Sequence, residues 1–573
     1  MSFKESIKHV WRYAKNEKGY FIIYTIDHIL QIIISIVVPI LSARQIVNIT
    51  DNMLYQIILI SFVIFGLEIF RNLLRWIANY CSQVMYRESL RRIQSVLGEN
   101  ILRLSNESIS KNGSGVFIQR LTGDVSQLAD AFGTINMYVS NIVLDIGIFA
   151  TIFVLNKWIF IYIGIMMFVL FFIEKVRVNA RMEEDKKYRE KNEKTTGFLS
   201  ELVRGVRDIK MLNAEESFMD ELDLKLIDVN RARYKMGSVN RKYNFLYGSF
   251  RDIYDLGLMV LIVYLMFTGS LTAAYAVIVL NYSGRVTSVV NYLGGLMDVV
   301  KNFNLSASRV FDIIEGEEFP KEKFGHVHLD KVEGDFEFKN VKFSYEKSKV
   351  LKGVSFKIKA NETVAFVGKS GAGKTTIFNL LCRMYDVDSG KITIDGVDIK
   401  KLDRESIRGN ITIISQDPYI FNMTIRDNMR LVKKNVTDEE IEEACKLACL
   451  DEYIKTLPDG YDTLIGEGGI NLSGGQKQRM AIARALVQKT EIILFDEATS
   501  ALDNETQMHI QQAIENMKDE YTILIIAHRL STIINADRIV FLNDGVIEAE
   551  GTHKELLKSC PEYKKLYEAE IKK

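Results

Sequence analysis

Six apolar stretches, near residues 20–41, 54–77, 132–155, 158–178, 252–268 and 271–300, crowd into the first half of this 573-residue chain. Most approach the ~20 residues that an α-helix needs to cross ~30 Å of hydrocarbon, where every backbone polar group must be bonded within its own segment. The second stretch is interrupted by Glu68 and Arg71, and the fifth is short unless Asp252 and Asp255 lie at its interfacial end. After about Pro320 the composition becomes an ordinary charged mixture. Whole-chain averages conceal this change of solvent: the formal net charge is zero and 48% of residues are hydrophobic. A chain this long exceeds what one hydrophobic core fills, so a six-span helical domain followed by a water-soluble domain is expected. The zero balance gives no nucleic-acid footprint.

An even number of spans puts both termini on one side, and loop charge says which. The tight connections NITDNML, LNKW and FTGSLT hold one Lys among them, whereas the long connections 78–131 and 179–251 are rich in Lys and Arg. The positive-inside rule therefore places those segments, both termini and the C-terminal half in the cytoplasm of a multi-pass cell-membrane protein. The opening residues lack the apolar core and cleavage site of a signal peptide. Phe3, Ile7, Val10, Trp11 and Ala14 instead share one helical face opposite lysines, as expected of a helix lying in cytoplasmic headgroups over residues 1–19. Cys81, Cys382, Cys445, Cys449 and Cys560 are odd in number and without C-x-x-C spacing, so reduced thiols are expected. His326 and His328 find no third metal ligand and read as part of a solvated linker over 316–331.

In residues 332–573, GDFEFKNVKFSY and VSFKIKANETVAFVG alternate as strands do, while VAFVG, ITIISQ, EIILFDE and TILIIAH are compact apolar runs suited to a parallel sheet buried on both faces. Each of these runs ends in glycine or polar residues, namely Gly368, Gln416, Asp496 with Glu497, and His528, and open α/β sheets bind ligands at such strand C-termini. Gly368-Lys369-Ser370-Gly371-Ala372-Gly373-Lys374-Thr375, followed by Thr376, fits G-x-x-x-x-G-K-[ST] between a strand and a helix. Its glycines let backbone N–H groups turn toward phosphate, Lys374 supplies charge beside β/γ oxygens, and Thr375 suits Mg²⁺. Asp496 fits the second Mg²⁺ ligand, and Glu497 beside it suits the general base that polarises water.

These residues resemble one family over nearly the whole length: the ATP-binding cassette exporters whose membrane helices precede one nucleotide domain. The distinguishing element is LSGGQ, Leu472 to Gln476, lying between the phosphate loop and the FDE strand. Its Ser473, Gly474, Gly475 and Gln476 precede a helix-forming run and so offer a hydroxyl, N–H groups and a positive helix end to an anion. The resemblance implies that two cassettes pack head to tail, each signature closing over ATP held by the other. It further implies an antiparallel β subdomain and a helical subdomain. By the same resemblance Tyr345 stacks on adenine, Gln416 senses Mg²⁺ and water, Asp503 lies at the dimer seam, and His528 reaches the γ-phosphate. Two departures stand out: Gly468 follows Glu467 where the family usually carries arginine, and Ala360-Asn361 replaces a common Pro-Gly. The segments NGSGVFIQRLTGDV and GFLSELVRGVRDIKML resemble the two cytoplasmic loops whose short transverse helices seat on the cassettes.

One cassette and six spans imply a second chain, a homodimer being expected and a heterodimer the alternative. The function expected is ATP-driven export of an unidentified substrate through the lipid membrane, with ATP and Mg²⁺; an ATP-gated channel or regulatory subunit is the rival. Polar residues at membrane depth sketch the pathway: Asp27, His28, Gln31 and Ser35 in span one, Asp145 in span three, and Asn281, Arg285, Ser288 and Tyr292 in span six. Such charges face a wet cavity or pair with one another, as an Asp–Arg pair would.

Overall fold

The structure is a computed structural model that describes residues 2–51, 53–286, 288–346, 348–466, 468–496, 504–518, 520–526 and 534–571. Contacts divide the chain into two compact units, Met1–Leu102 with Gly113–Phe319, and Arg103–Asn112 with Pro320–Lys573.

The first unit is wholly helical. Its elements are α1 (Phe3–Ala14), α2 (Lys18–Thr50) and α3 (Leu54–Ile101); after α4 (Asn106–Asn112), which belongs to the second unit, follow α5 (Ser114–Gln119), α6 (Val125–Leu155), α7 (Lys157–Met211), α8 (Glu215–Phe267), α9 (Ala273–Val286) and α10 (Ser288–Ile314). Among the described residues four stretches, Lys18–Ile49, Leu54–Ile101, Ser114–Leu155 and Lys157–Met211, are long and apolar enough to cross a membrane. The fifth apolar run is the C-terminal end of α8, and the sixth falls on α9 and α10. Hydropathy ends long before the helices do. The 55 residues of α7 extend about 80 Å at 1.5 Å per residue, so its charged half continues the same rod beyond the ~30 Å of hydrocarbon. No Pro interrupts α7, and it stops only at Leu212–Ala214, where Asn213 adopts φ 51°. Residues 197–211 therefore form the end of a long helix and not a separate short one, correcting the transverse helix expected there.

The N-terminal helix forms over Phe3–Ala14. Its apolar face packs on protein: Val10 and Ala14 are buried, Phe3 meets Phe303 edge-on, and Trp11 meets Phe21 and Phe132. On its flank His9 and Arg12 pair with Glu315 at 2.9 and 2.6 Å. Amphipathic spacing specifies a helix with one apolar face; helices α6 and α10 cover that face as well as lipid would.

In the second unit, β1 (Phe336–Tyr345), β2 (Ser348–Ile358), β4 (Ser389–Ile394) and β5 (Val397–Asp398) form an antiparallel sheet in the order β2-β1-β4-β5. A six-stranded sheet runs β12-β11-β3-β10-β9-β6, with β3 (Thr363–Val367), β6 (Ile411–Ile414), β9 (Ile492–Asp496), β10 (Thr522–Ile526) and β11 (Arg538–Asn543) parallel and β12 (Val546–Gly551) antiparallel at the edge. The four apolar runs of the sequence are β3, β6, β9 and β10. Every residue of β3 and β10 is buried, because cores lie on both faces of the sheet. A two-residue ladder joins β7 (Met423–Thr424) to β8 (Leu464–Ile465). Asn361 turns at φ 60°, a conformation Asn tolerates in place of glycine.

In the linker His326 and His328 are exposed, while the backbone around them is paired. Gly325 and Val327 donate backbone N–H groups to Leu402 and Lys401 at 2.8 and 2.9 Å, and Asp403 returns one to Val327 at 2.9 Å. His328 Nδ1 lies 2.8 Å from Asp403 Oδ2, and a two-pronged Arg408–Glu322 pair holds the same segment at 2.7 and 2.9 Å. The five cysteines are free, four of them buried.

Candidate functional site

The phosphate loop is built at the end of a central strand. Leaving β3, the chain passes Leu542 so closely that a Cβ on Gly368 would lie 2.2 Å from the Leu542 carbonyl oxygen, which only glycine avoids. Gly373 then takes φ 103° against Leu351 and starts α11 (Lys374–Leu381). Lys374, only 5% exposed, folds back so that its ammonium donates to the carbonyls of Gly368 and Lys369 at 2.9 and 3.1 Å. Ser370, Gly371 and Thr375 are exposed around it. Thr375 Oγ1 donates to Asp496 Oδ1 at 3.2 Å, bringing together the two side chains expected at Mg²⁺ although 121 positions separate them. A hydroxyl and one carboxylate at the mouth of a phosphate loop fit Mg²⁺, which takes one or two protein oxygens and completes its shell with phosphate and water. No cluster of three His, Cys, Asp or Glu that could hold a metal occurs among the described residues.

Tyr345 stands at the end of β1 with its hydroxyl 3.5 Å from Thr376 Oγ1 and 3.4 Å from Asn379 Nδ2, both on α11. Edge-on contacts with Phe343 and Tyr385 fix the ring. A cavity of 640 Å³ opens beside it, lined among others by Tyr345, Tyr385, Arg383, Ser105 and Glu107. The last two belong to the segment 103–112, which sequence motifs do not mark. It is tied into this unit by Ser105 N–H to Pro320 O and Glu322 N–H to Arg103 O, both 2.9 Å, and by Ser108 Oγ to Pro320 O at 3.1 Å. The short helix engaged here is α4, just before the NGSGVFIQ stretch expected to play that part.

Ser473 caps the helix Gly474–Gln488 with a reciprocal box: its side chain accepts from Gln476 N–H, and Gln476 Oε1 accepts from Ser473 N–H at 2.8 Å. Ser473 and Gly474 are exposed, and Gly475 is buried. The body of this helix reaches the Gln416 loop: Gln478 Nε2 donates to Gln416 O at 3.1 Å, Lys477 pairs with Asp417 at 3.4 Å, and Arg484 donates to Tyr419 O at 2.8 Å. Burial pulls the Arg484 guanidinium down to about 10, so it stays charged at neutral pH. Gln416 itself is exposed beyond β6. Gly468, standing for the family's arginine, donates its N–H to Asn422 Oδ1 at 3.2 Å, and a Cβ there would come within 2.9 Å of the same amide. Glu467, Glu497, Asp503 and His528 lie outside the described residues. The strands that lead to Glu497 and His528 end in register, Asp496 beside Ile526.

A phosphate-binding α/β domain that follows a set of membrane-length helices defines a membrane-bound nucleoside triphosphatase. Residues 351–500 match the family described as ABC transporter, and residues 21–289 match the ABC transporter transmembrane region. The uncharacterized ABC transporter ATP-binding protein YknV of Bacillus subtilis is 33% identical over 91% of this chain and 87% of its own. A second from that organism, YfiC, is 30% identical over 100% and 95%. The ATP-dependent lipid A-core flippase of Legionella pneumophila strain Paris is 32% identical over 89% and 86%. This chain belongs to the ABC transporters of the exporter type, with membrane region and ATP-binding cassette in one polypeptide; it is a multi-pass membrane ATPase.

Proposed function

We propose that this chain is half of an ATP-driven exporter in which two identical copies pair, each lending its Ser473–Gln476 loop to the nucleotide held by the other. The observation that carries the reading is the convergence of Lys374, Thr375 and Asp496 at one strand edge, with a capped helix end, Ser473, on a separate element. Lys374 would exchange its two carbonyl partners for β/γ-phosphate oxygens, and Tyr345 would stack on the base. Thr375, Asp496 and, through water, Gln416 would hold Mg²⁺, which neutralises phosphate charge. Glu497 would orient and deprotonate the attacking water, His528 would steady the γ-phosphate, and Asp503 would line the seam.

Nucleotide bound between two cassettes adds contacts available only when they are together, and hydrolysis removes them, so the equilibrium between two membrane conformations is biased through differential affinity. Segment 103–112, built into the cassette unit yet leaving it at both ends for membrane helices, is the natural carrier of that bias. The flippase named above is a relative consistent with an amphiphilic cargo. The test is purified protein in inside-out vesicles. ATP should drive net substrate movement that Glu497→Gln abolishes, and paired cysteines at Ser473 and Thr375 should crosslink between copies. Intrachain crosslinks only, or passive ion current in place of pumping, would sink the reading.

A further inference from the structure

Among the described residues, the three buried aspartates of the membrane unit differ in how their charge is met. Asp27 accepts from Gln31 at 2.5 Å and Asp124 from Ser306 at 2.8 Å. Asp145 on α6, 4% exposed, has no hydrogen-bond partner on either carboxylate oxygen. The Asp–Arg pair conceivable from sequence does not form: Arg285 acts on Asp145 electrostatically, but no ion pair within 4.0 Å joins them. A carboxylate at membrane depth with nothing bonded to it is costly, since neither water nor a protein dipole replaces its hydration.

Asp145 lines a cavity of 540 Å³ whose other walls include Phe149, Phe153, Phe160, Met167 and Val289. Phe160 packs against Phe149 and Phe153 with ring centroids 4.5 and 5.0 Å apart, so the three rings form one aromatic cluster in the wall of the cavity that Asp145 also lines. The volume lies within the ~300–1,000 Å³ of small-molecule sites. Ring faces attract cations, most strongly where water is excluded. A neutral guest would leave Asp145 unanswered and an anion would be repelled by it. We propose that Asp145 and the Phe149, Phe153 and Phe160 cluster form a subsite for a lipophilic cation, an ammonium-type centre carried on apolar substituents. This names a substrate class for the export reading and rests on it.

The probe is tetraphenylphosphonium, with tetraphenylborate as an anion of the same shape, measured by equilibrium binding without nucleotide to the full-length protein in lipid nanodiscs, empty discs serving as blank. Saturable binding of the cation but not the anion is expected. Asp145→Asn should raise the Kd on the order of tenfold or more, and Asp145→Glu should restore most of the affinity. Phe153→Ala alters a ring that is 57% exposed, so folding is not at stake, and should weaken the cation several-fold. Equal binding of both ions, or an unchanged Kd in Asp145→Asn, overturns the subsite and leaves the groove to a second copy of this chain. Should Asp145→Asn fail to fold, an unchanged Kd in Phe153→Ala overturns it alone. ATP-driven transport of another compound without cation binding would remove the subsite and leave the exporter; cation binding without ATP turnover would do the reverse.

Discussion

Lys374 in the cassette and Asp145 in the membrane unit are buried alike, at 5% and 4% exposure, yet only one of them is answered. The lysine rests on two carbonyls of its own loop, groups that turned inward because glycines let the backbone double back around them. The aspartate sits on an uninterrupted helix whose carbonyls and N–H groups are already spent on each other, so its neighbours can offer only side chains: those of the cavity are apolar, and Arg285 acts on it without bonding to it. A loop can park a charge between turnovers. On a membrane helix the partner must be a side chain, as Gln31 is for Asp27, and Asp145 has none bonded to it.

The largest expected effect tests the answered charge. Lys374→Met keeps the stem but removes the ammonium, so ATP hydrolysis should fall on the order of a hundredfold. The Gly368 and Lys369 carbonyls also lose their donor, and Tm should drop. An ATPase rate within threefold of wild type would mean that Lys374 does not stand at the reacting phosphate. The unanswered charge should behave in the opposite sense. Asp145→Leu removes a desolvated carboxylate and fills its space with hydrocarbon, so the protein should gain about 1–3 kcal/mol, read as a higher Tm in detergent. A lower Tm would show that Asp145 is satisfied in the folded protein and would erase the contrast with Lys374.

The same contrast explains how much could be read from sequence. Strands β3, β6, β9 and β10 are legible because burial on both faces leaves unbroken apolar runs, and the phosphate loop is legible because Gly368 and Gly373 must be glycine where Leu542 and Leu351 approach. Thr375 and Asp496 could be paired before any coordinates, since strand ends gather what sequence separates. Other features leave no such mark. The cover over α1 is invisible because protein and lipid are equally apolar, and the length of α7 is invisible to hydropathy because the rod continues after the apolar run stops. Segment 103–112 and the linker engage largely through backbone hydrogen bonds, which carry no residue signature, with side-chain pairs such as Arg408–Glu322 added to them. Asp145 is conspicuous in sequence, but whether Arg285 reaches it depends on helix rotation, which periodicity does not set.

Between the two buried charges stands an exposed pair, His328 with Asp403, and it should give the smallest effect. The hydrogen bond that the imidazole donates to the Asp403 carboxylate raises it above its ordinary value, and nearby Asp330 and Glu405 add to the rise. Hydrogen bonds from the hydroxyl and backbone N–H of Ser406, then His328, hold Asp403 down at about 2, so it stays ionised throughout the neutral range. Because the folded-state pKa of the histidine lies above its unfolded value of about 6.5, the stabilisation is fully present below that value and is lost as pH rises through the raised one. His328→Gln should therefore lower Tm more at pH 6 than at pH 9, and the gap should shrink in added salt because both groups face water. A gap independent of pH would assign the linker's hold to its backbone pairing with Leu402 and Lys401 and to the Arg408–Glu322 fork, leaving the imidazole a bystander.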